Sequence, residues 1–469
     1  MRISERRKRH SRYEIEMTSG ALMPKILQFS LPLVLTGILQ LLYNAADVIV
    51  VGNYAGHTAL AAVSSTGSLI NLLVNVFMGL SVGASVIIAR YYGAGDILRM
   101  RQAEHTAITL AFFMGFGVGI MGFLLARPML NWMGSPEDVI EGATLYVQIY
   151  FLGMPANMLY NFGAATLRAL GDTKRPLYYL MISGLVNVVL NLLLVIVFKM
   201  SVAGVAIATV ASQVVSMVLV LLCLLRSHGV MKLEIRECRI NGRSALEMIR
   251  VGLPAGIQGS LFSISNVLIQ SSINSFGSLA VAGNGVASNI EGFVYTAMNA
   301  QYQACMTVTS QTYGAGKMDR VKKTLWSCLG IVLIIGLSLG LIVRAFGVPL
   351  MSLYNQDPEV IAKGLIRMSM VLPFYFLCGM MDVMVGQLRG IGYSIMPMIV
   401  SLAGACGLRI VWIMVIFAAN PTLQILYMSY PISWGVTFVI HLVCYMIVMV
   451  KKLNGITAQP GGGEKIEDI

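Results

Sequence analysis

Charge is what this sequence has least of. Only 12% of its 469 residues are Asp, Glu, Lys or Arg, against about 25% in an ordinary soluble domain. Acids are the scarcer sign, with 21 Asp and Glu facing 33 Lys and Arg. The length alone would suggest two or three soluble domains. A chain that is 57% hydrophobic and so poor in charge excludes that reading and leaves an integral membrane protein of the helical kind. Five scattered histidines are too few for a metal cluster. The seven cysteines show no CxxC or Cys/His spacing, which excludes a zinc site or a disulfide framework and leaves them as small buried hydrophobes. No GxxxxGK[ST] loop is present, so ATP is not the expected energy source. HExxH and GxSxG are missing too, and no enzyme is expected. The short alternating segments of a transmembrane β-barrel are also absent.

What is there is a series of apolar runs. Twelve reach the roughly 20 residues that cross a bilayer as a helix. They lie near 26–49, 62–89, 104–126, 142–165, 177–198, 203–225, 250–275, 284–311, 325–345, 361–387, 396–418 and 425–450. The basic opening "MRISERRKRHSRYEIEMTSG" is not followed by a signal-peptide core with a cleavage site, and the first run is too long to be one, so it is expected to be retained. The net charge of +12 is a topology signal rather than a nucleic-acid signal. All Lys and Arg except Arg127, Lys199, Arg344, Lys363, Arg367 and Arg409 lie at the N-terminus, in the even-to-odd loops or at the C-terminus. Cationic loops stay cytoplasmic, so both ends are placed inside, with some attraction to anionic lipid. The expected division is a cytoplasmic segment 1–25, a six-helix lobe 26–225, a cytoplasmic linker 226–249, a second six-helix lobe 250–450 and a cytoplasmic tail 451–469.

The two lobes are copies. Shifted by about 221 residues, "YYGAGDILRMRQ" (91–102) answers "TYGAGKMDRVKK" (312–323), and "LRALGDTKRP" (167–176) answers "LRGIGYSIMP" (388–397). "SPEDVI" answers "DPEVI", and "SLP" answers "GLP". A repeat of six helices inserts twice with the same orientation. Such parallel repeats are characteristic of transporters and place a central site between lobes near the midplane.

Three acids fall well inside the runs: Asp47, Glu291 and Asp382. A charge at the bilayer centre costs at least about 2.5–3.5 kcal/mol on insertion scales, so each needs a reason. Gln40, Tyr43, Asn44 and Asp47 recur at three- and four-residue steps and share one helical face, which should point into the protein. A carboxyl lined by amide and phenol groups away from bulk water is a place to load and unload a proton, or to coordinate sodium with neighbouring oxygens. Asn187 and Asn191 share a face of the fifth run, and Thr209 and Gln213 a face of the sixth, where interhelical glue is the competing role. Glu291, Asp382 and Arg409 are candidates for a second acid site or the substrate cleft; alternatively Arg409, the one cation expected deep in a span, closes a buried ion pair with either acid. Pro32, Pro155, Pro254 and Pro373, with Gly37, Gly153, Gly256 and Gly379, are expected to bend helices. The 31 methionines read chiefly as core filler, although a flexible polarisable wall also suits varied apolar ligands.

Together these motifs resemble the multidrug and toxic compound extrusion (MATE) family, within the larger group that also holds lipid-linked oligosaccharide flippases. The carriers are "LPLVLTGILQLLYNAADVIVVGNYAG", the "YYGAG" and "TYGAG" loops, "LRALGDTKRP", "GVAIATVASQ" and "LRGIGYSIMP", and the resemblance covers about residues 20–455. It implies two six-helix lobes around a V-shaped cleft. It also implies export of cationic, often aromatic compounds in exchange for H+ or Na+. Asp47 stands at the family's helix 1 cation site, Gln40 at a polar position of that helix, and Asn187 at a helix 5 asparagine. Two departures matter: Asn191 stands where members often have an acid, and "LPAGIQGSLFSISNVLIQSSINSFG" on the seventh run carries none. Asp47 is therefore the expected coupling acid, with Gln40, Asn187 and Asn191. The second set is Tyr43, Asn44, Glu291, Asp382 and Arg409. Expected partners are organic cations or drugs, H+ or Na+, and lipid, in a monomer within a prokaryotic inner membrane. No cofactor is expected apart from sodium as a bound ion. The rival functions are a flippase, which would favour a cationic cavity, and a receptor or scaffold that moves no solute.

Overall fold

The computed structural model describes residues 13–55, 57–133, 136–227 and 229–457. The expected segment before Tyr13 and the tail beyond Thr457 lie outside the described residues. Twelve rods run antiparallel. They are α1 (Leu22–Tyr54), α2 (His57–Ala94), α3 (Ile97–Trp132) and α4, made of two pieces, Glu137–Leu152 and Met154–Ala169. Then come α5 (Lys174–Val197), α6 (Ser201–Arg226), α7 (Gly242–Asn274), α8 (Ser278–Gly314) and α9 (Met318–Ala345). The last are α10 (Pro358–Ile391), α11 (Ile395–Phe417) and α12 (Leu423–Thr457). No strand occurs among the described residues.

Nine of the twelve are long and apolar enough to span by composition alone, among the described residues. The exceptions have physical reasons. Helix α4 is split at Gly153, which leaves Val139–Leu152 as a short apolar piece. Helices α7 and α8 carry buried Gln258, Ser260, Ser265, Asn284, Gln301, Thr307 and Gln311, so they bury polar groups where the others meet lipid. The breaks repeat: α4 divides at Gly153 and Pro155, α10 at a 3₁₀ turn over Leu372–Phe374 that contains Pro373. In α5 the last turn, Leu192–Val197, widens to a π-helix, and α11 does the same at Ile413–Phe417. Wide turns of this kind often mark functional positions. Where helices begin in water, side chains cap them. Asp96 accepts from the Arg99 N–H at 3.0 Å, Asn241 from the Ser244 N–H at 3.1 Å, and Asp357 from the Glu359 N–H at 2.9 Å.

The repeat motifs are explained by their glycines. Gly95 and Gly316 close the turns after α2 and α8 with φ of +73° and +71°, and Gly171 and Gly392 close those after α4 and α10 with φ of +92° and +110°. These left-handed conformations are easy only for glycine. The other glycine of each YGAG motif does different work. A Cβ on Gly93 would collide with the Gln311 carbonyl, and one on Gly314 with the Arg90 carbonyl. Helices α2 and α8 thus touch backbone to backbone. Helices α2 and α7 do the same where Gly79 and Gly83 meet Met248, Gly252 and Gly256. Of the glycines expected to bend helices, Gly37 lies instead against Thr296 of α8, and Gly256 against Val76 of α2.

These contacts seal one end of the molecule, the face that carries the Gly95, Gly171, Gly316 and Gly392 turns. Two apolar cores sit on either side of the seam. One gathers Met100, Phe151, Met158 and Val220; the other gathers Met298, Met368, Met384 and Tyr427. Helix α1 belongs to both: Ile26, Phe29 and Leu33 pack into the second core, Val50 and Val51 into the first. Ahead of α1 a strap crosses the sealed face. Arg320 donates to the carbonyls of Met17, Ser19 and Gly20 at 2.8–2.9 Å, and Lys317 to that of Thr18 at 2.8 Å.

Candidate functional site

Between the lobes lies a cavity of about 570 Å³, within the range of drug-sized ligand sites. Both copies of the repeat line it. Asn161 and Asp382, which the 221-residue shift superposes, both face it. The walls differ in polarity. Met78 and Val82 of α2 stand where α8 presents Asn299 and Gln303. This is why α8 reads as too polar to span by composition alone. Gln40 and Asn44 of α1 line the cavity, as do Gln258, Arg168 and Arg389.

Asp47 is set apart from that cavity, two turns beyond Gln40 on α1. The α1–α5 packing brings it to the asparagine face of α5, where Asn191 donates its Nδ2 to the Asp47 carboxylate. The same Nδ2 lies 3.3 Å from the Asn187 Oδ1. Asn191 is 1% exposed, and its own Oδ1 is buried without a partner. Thus the structure gathers Asp47, Asn187 and Asn191 as one cluster and leaves Gln40 and Asn44 in the central cavity. Tyr43 packs its ring on Gly184 of α5, with its hydroxyl 3.5 Å from the Met181 carbonyl. Thr209 bonds back to the Val205 carbonyl of its own helix at 3.0 Å.

In the second lobe the expected partner is replaced. Arg409 pairs with neither Glu291 nor Asp382. Its Nε donates to the Ser433 Oγ at 2.9 Å, and its guanidinium lies 4.3 Å from the Tyr430 ring centre. Glu291 is held instead by Arg367, through Nε at 3.0 Å and Nη2 at 2.7 Å. Arg367 also donates Nη1 to the Asn284 Oδ1 at 2.7 Å and lies under the Tyr427 and Tyr430 rings. Glu291 is 2% and Arg367 8% exposed, so this is a buried, bidentate ion pair away from the cavity. Arg409 is therefore not the only cation at depth. The sequence reading missed Arg367 because it lies near the start of a run, where cations normally snorkel to water. Its position two turns inside that run was the available signal. The cavity corrects a second inference. Arg409 is the one cation expected deep in a span, yet Arg168 and Arg389 both line this cavity. Among the described residues no group of three or more His, Cys, Asp or Glu side chains is placed to hold a metal.

A paired six-helix repeat, sealed at one end by backbone contact and enclosing a polar cavity lined by both copies, defines a two-lobe membrane transporter. The MatE family model matches residues 32–193 and again 254–415, once in each lobe, and the chain belongs to that family, the MATE transporters. It is 28% identical over 433 residues to the probable multidrug resistance protein YoeA of Bacillus subtilis, covering 90% of this chain and 93% of that protein. It is 26% identical to an FAD transporter of Shewanella oneidensis, over 72% of this chain and 75% of that protein. A solved structure of a multidrug resistance MATE transporter in an outward-facing conformation shares the fold. Its TM-score is 0.88 at 21% identity, over 95% of this chain and 99% of that one.

Proposed function

We propose that this protein exports organic compounds across the cell membrane in exchange for a proton or a sodium ion, with both termini in the cytoplasm and Asp47 as the coupling acid. The sealed face is then cytoplasmic, and the cavity belongs to the outward-facing state. One observation carries the coupling role: Asp47 is held by Asn191, whose Oδ1 is buried and unpartnered. An unpaired buried acceptor is costly. A proton on Asp47 makes that carboxyl a donor, and a sodium ion supplies positive charge, so either gives the spare oxygen a partner. The change occurs where α1 packs on α5, and α1 also lines the cavity through Gln40 and Asn44. Ion and solute can then favour different lobe arrangements, which is what coupling requires. Relatives named as multidrug resistance proteins support organic substrates.

The test is uptake of ethidium into everted vesicles under an imposed pH or sodium gradient. Uptake driven by one gradient and lost in Asp47→Asn is expected, and it names the ion. Wild-type uptake by a folded Asp47→Asn refutes the coupling role. No uptake under either gradient favours the flippase reading.

A further inference from the structure

Arg168 and Arg389 hold equivalent places in the two copies of the repeat, 221 residues apart, each near the end of its lobe's fourth helix. Both line the one cavity between the lobes. Two other arginines at depth meet a carboxylate, Arg367 at Glu291 and Arg175 at Asp172, whereas Arg409 and Arg90 lie against aromatic rings, Arg90 with its Nε and Nη2 buried without a hydrogen bond. Among the described residues neither Arg168 nor Arg389 has a carboxylate within 4.0 Å, and the Arg168 guanidinium donates no hydrogen bond. Arg389 is 5% exposed. It is aimed by two neutral acceptors, the Tyr302 Oη and the Gln258 Oε1, each at 2.7 Å, and its Nε is buried without a partner. The cavity's one acid among the described residues is Asp382, so two guanidinium groups face one carboxyl. Arg168 is half-buried, whereas Arg389 is buried, and a desolvated cation that lacks full counter-charge is costly unless something else neutralises it. Arginine's planar fork matches carboxylate and phosphate.

We propose that this part of the cavity is a subsite for an anionic group, a carboxylate or phosphate carried by the transported molecule, met by Arg168 from one lobe and Arg389 from the other. The proposal rests on reading the cavity as the substrate site. Asp382 on the same wall accommodates a cationic group, so amphoteric and anionic organic molecules fit the cavity alongside cations. A group bound by both arginines also ties the lobes together, so its release is coupled to their rearrangement.

The probe pair is riboflavin and riboflavin 5′-phosphate, two fluorescent molecules that differ by one phosphate. Binding of each is followed by fluorescence to the full-length protein in phosphatidylcholine nanodiscs. The assay needs no gradient, so its result is independent of whether Asp47 couples transport. The phosphorylated form is expected to bind about tenfold more tightly or better, as charge-assisted bonds to phosphate require. Arg168→Gln and Arg389→Gln should bring the ratio towards one. A purely structural role for either arginine would shift stability and not this ratio. Arg389→Gln removes two internal hydrogen bonds; if it does not fold, Arg168→Gln decides alone. A wild-type ratio near one, no binding of the phosphate form, or an unchanged ratio in folded Arg168→Gln overturns the proposal. Phosphatidylglycerol nanodiscs separate the sources of the anion. Unchanged affinity for the phosphate form assigns the site to the solute. A loss that Arg168→Gln abolishes assigns it to lipid headgroups and overturns the solute claim.

Discussion

Removing the Glu291 carboxylate should destabilise the second lobe more than removing it together with Arg367. The pair is buried, with three charge-assisted bonds counting the one to Asn284, at 3.0, 2.7 and 2.7 Å. In Glu291→Leu, Arg367 stays desolvated with only Asn284 and two ring faces for company. Stranding one partner of a buried pair costs about 3–5 kcal/mol, whereas replacing both with apolar residues of similar volume is often neutral. The variants are Glu291→Leu, Arg367→Met and the double. Apparent melting temperature is read in detergent by fluorescence-detected size exclusion, and transport in everted vesicles. Both singles should melt well below wild type. The double should recover most of the loss, giving a coupling energy close to the sum of the two single losses. Transport by the double should be near wild type, because neither residue lines the cavity. A double that melts as low as either single refutes the charge-pair account. A stable double that cannot transport would show that Glu291 takes part in coupling.

Two further outcomes follow from the glycines. Gly83→Val places side-chain atoms against the Met248 carbonyl and the Gly252 backbone, so it should prise α2 from α7 and populate a state open at the sealed face. Spin labels at Leu98→Cys and Ile395→Cys, exposed positions on opposite lobes near that face, should move apart relative to the same pair without the valine. Gly392→Ala sets a Cβ at φ +110° and 2.6 Å from the Arg90 Nη2, and should cost about 1–3 kcal/mol, read as a lower melting temperature. The matching change at Gly330, which has open space around it, should be nearly silent.

The architecture was legible because it is written in periods and repeats. Apolar runs gave the rods, and the 221-residue shift gave the lobes. Glycines 95 and 316, and 171 and 392, recur because each closes a turn that only glycine closes easily. Cross-helix partners were less accessible. Sequence placed Asp47 and Asn191 each on a polar face, but only the packing of α1 on α5 joins them and separates both from Gln40. The misassigned partner of Arg409 has the same origin. Deep charge is visible in a sequence, but which of two arginines, 42 positions apart, meets Glu291 depends on which of α10 and α11 packs against α8. The arginine pair in the cavity lies in the repeated LRALGDTKRP and LRGIGYSIMP motifs, and its chemistry follows from the cavity's reaching down to it.

Helix α1 has one further consequence. Its first half is anchored in the second lobe's core and held from below by Arg320 and Lys317 through the strap, while its far end is packed in the first lobe's core. Any rocking of one lobe on the other must be absorbed along this helix, between Leu33 and Val50. Pro32 stands just before that stretch, whose backbone meets α8 at Gly37. Gln40, Asn44 and Asp47 all lie within it. Under the proposed mechanism the helix works as a crank with its two ends bolted to different plates, which would make motion of the plates and loading of the acid one mechanical event.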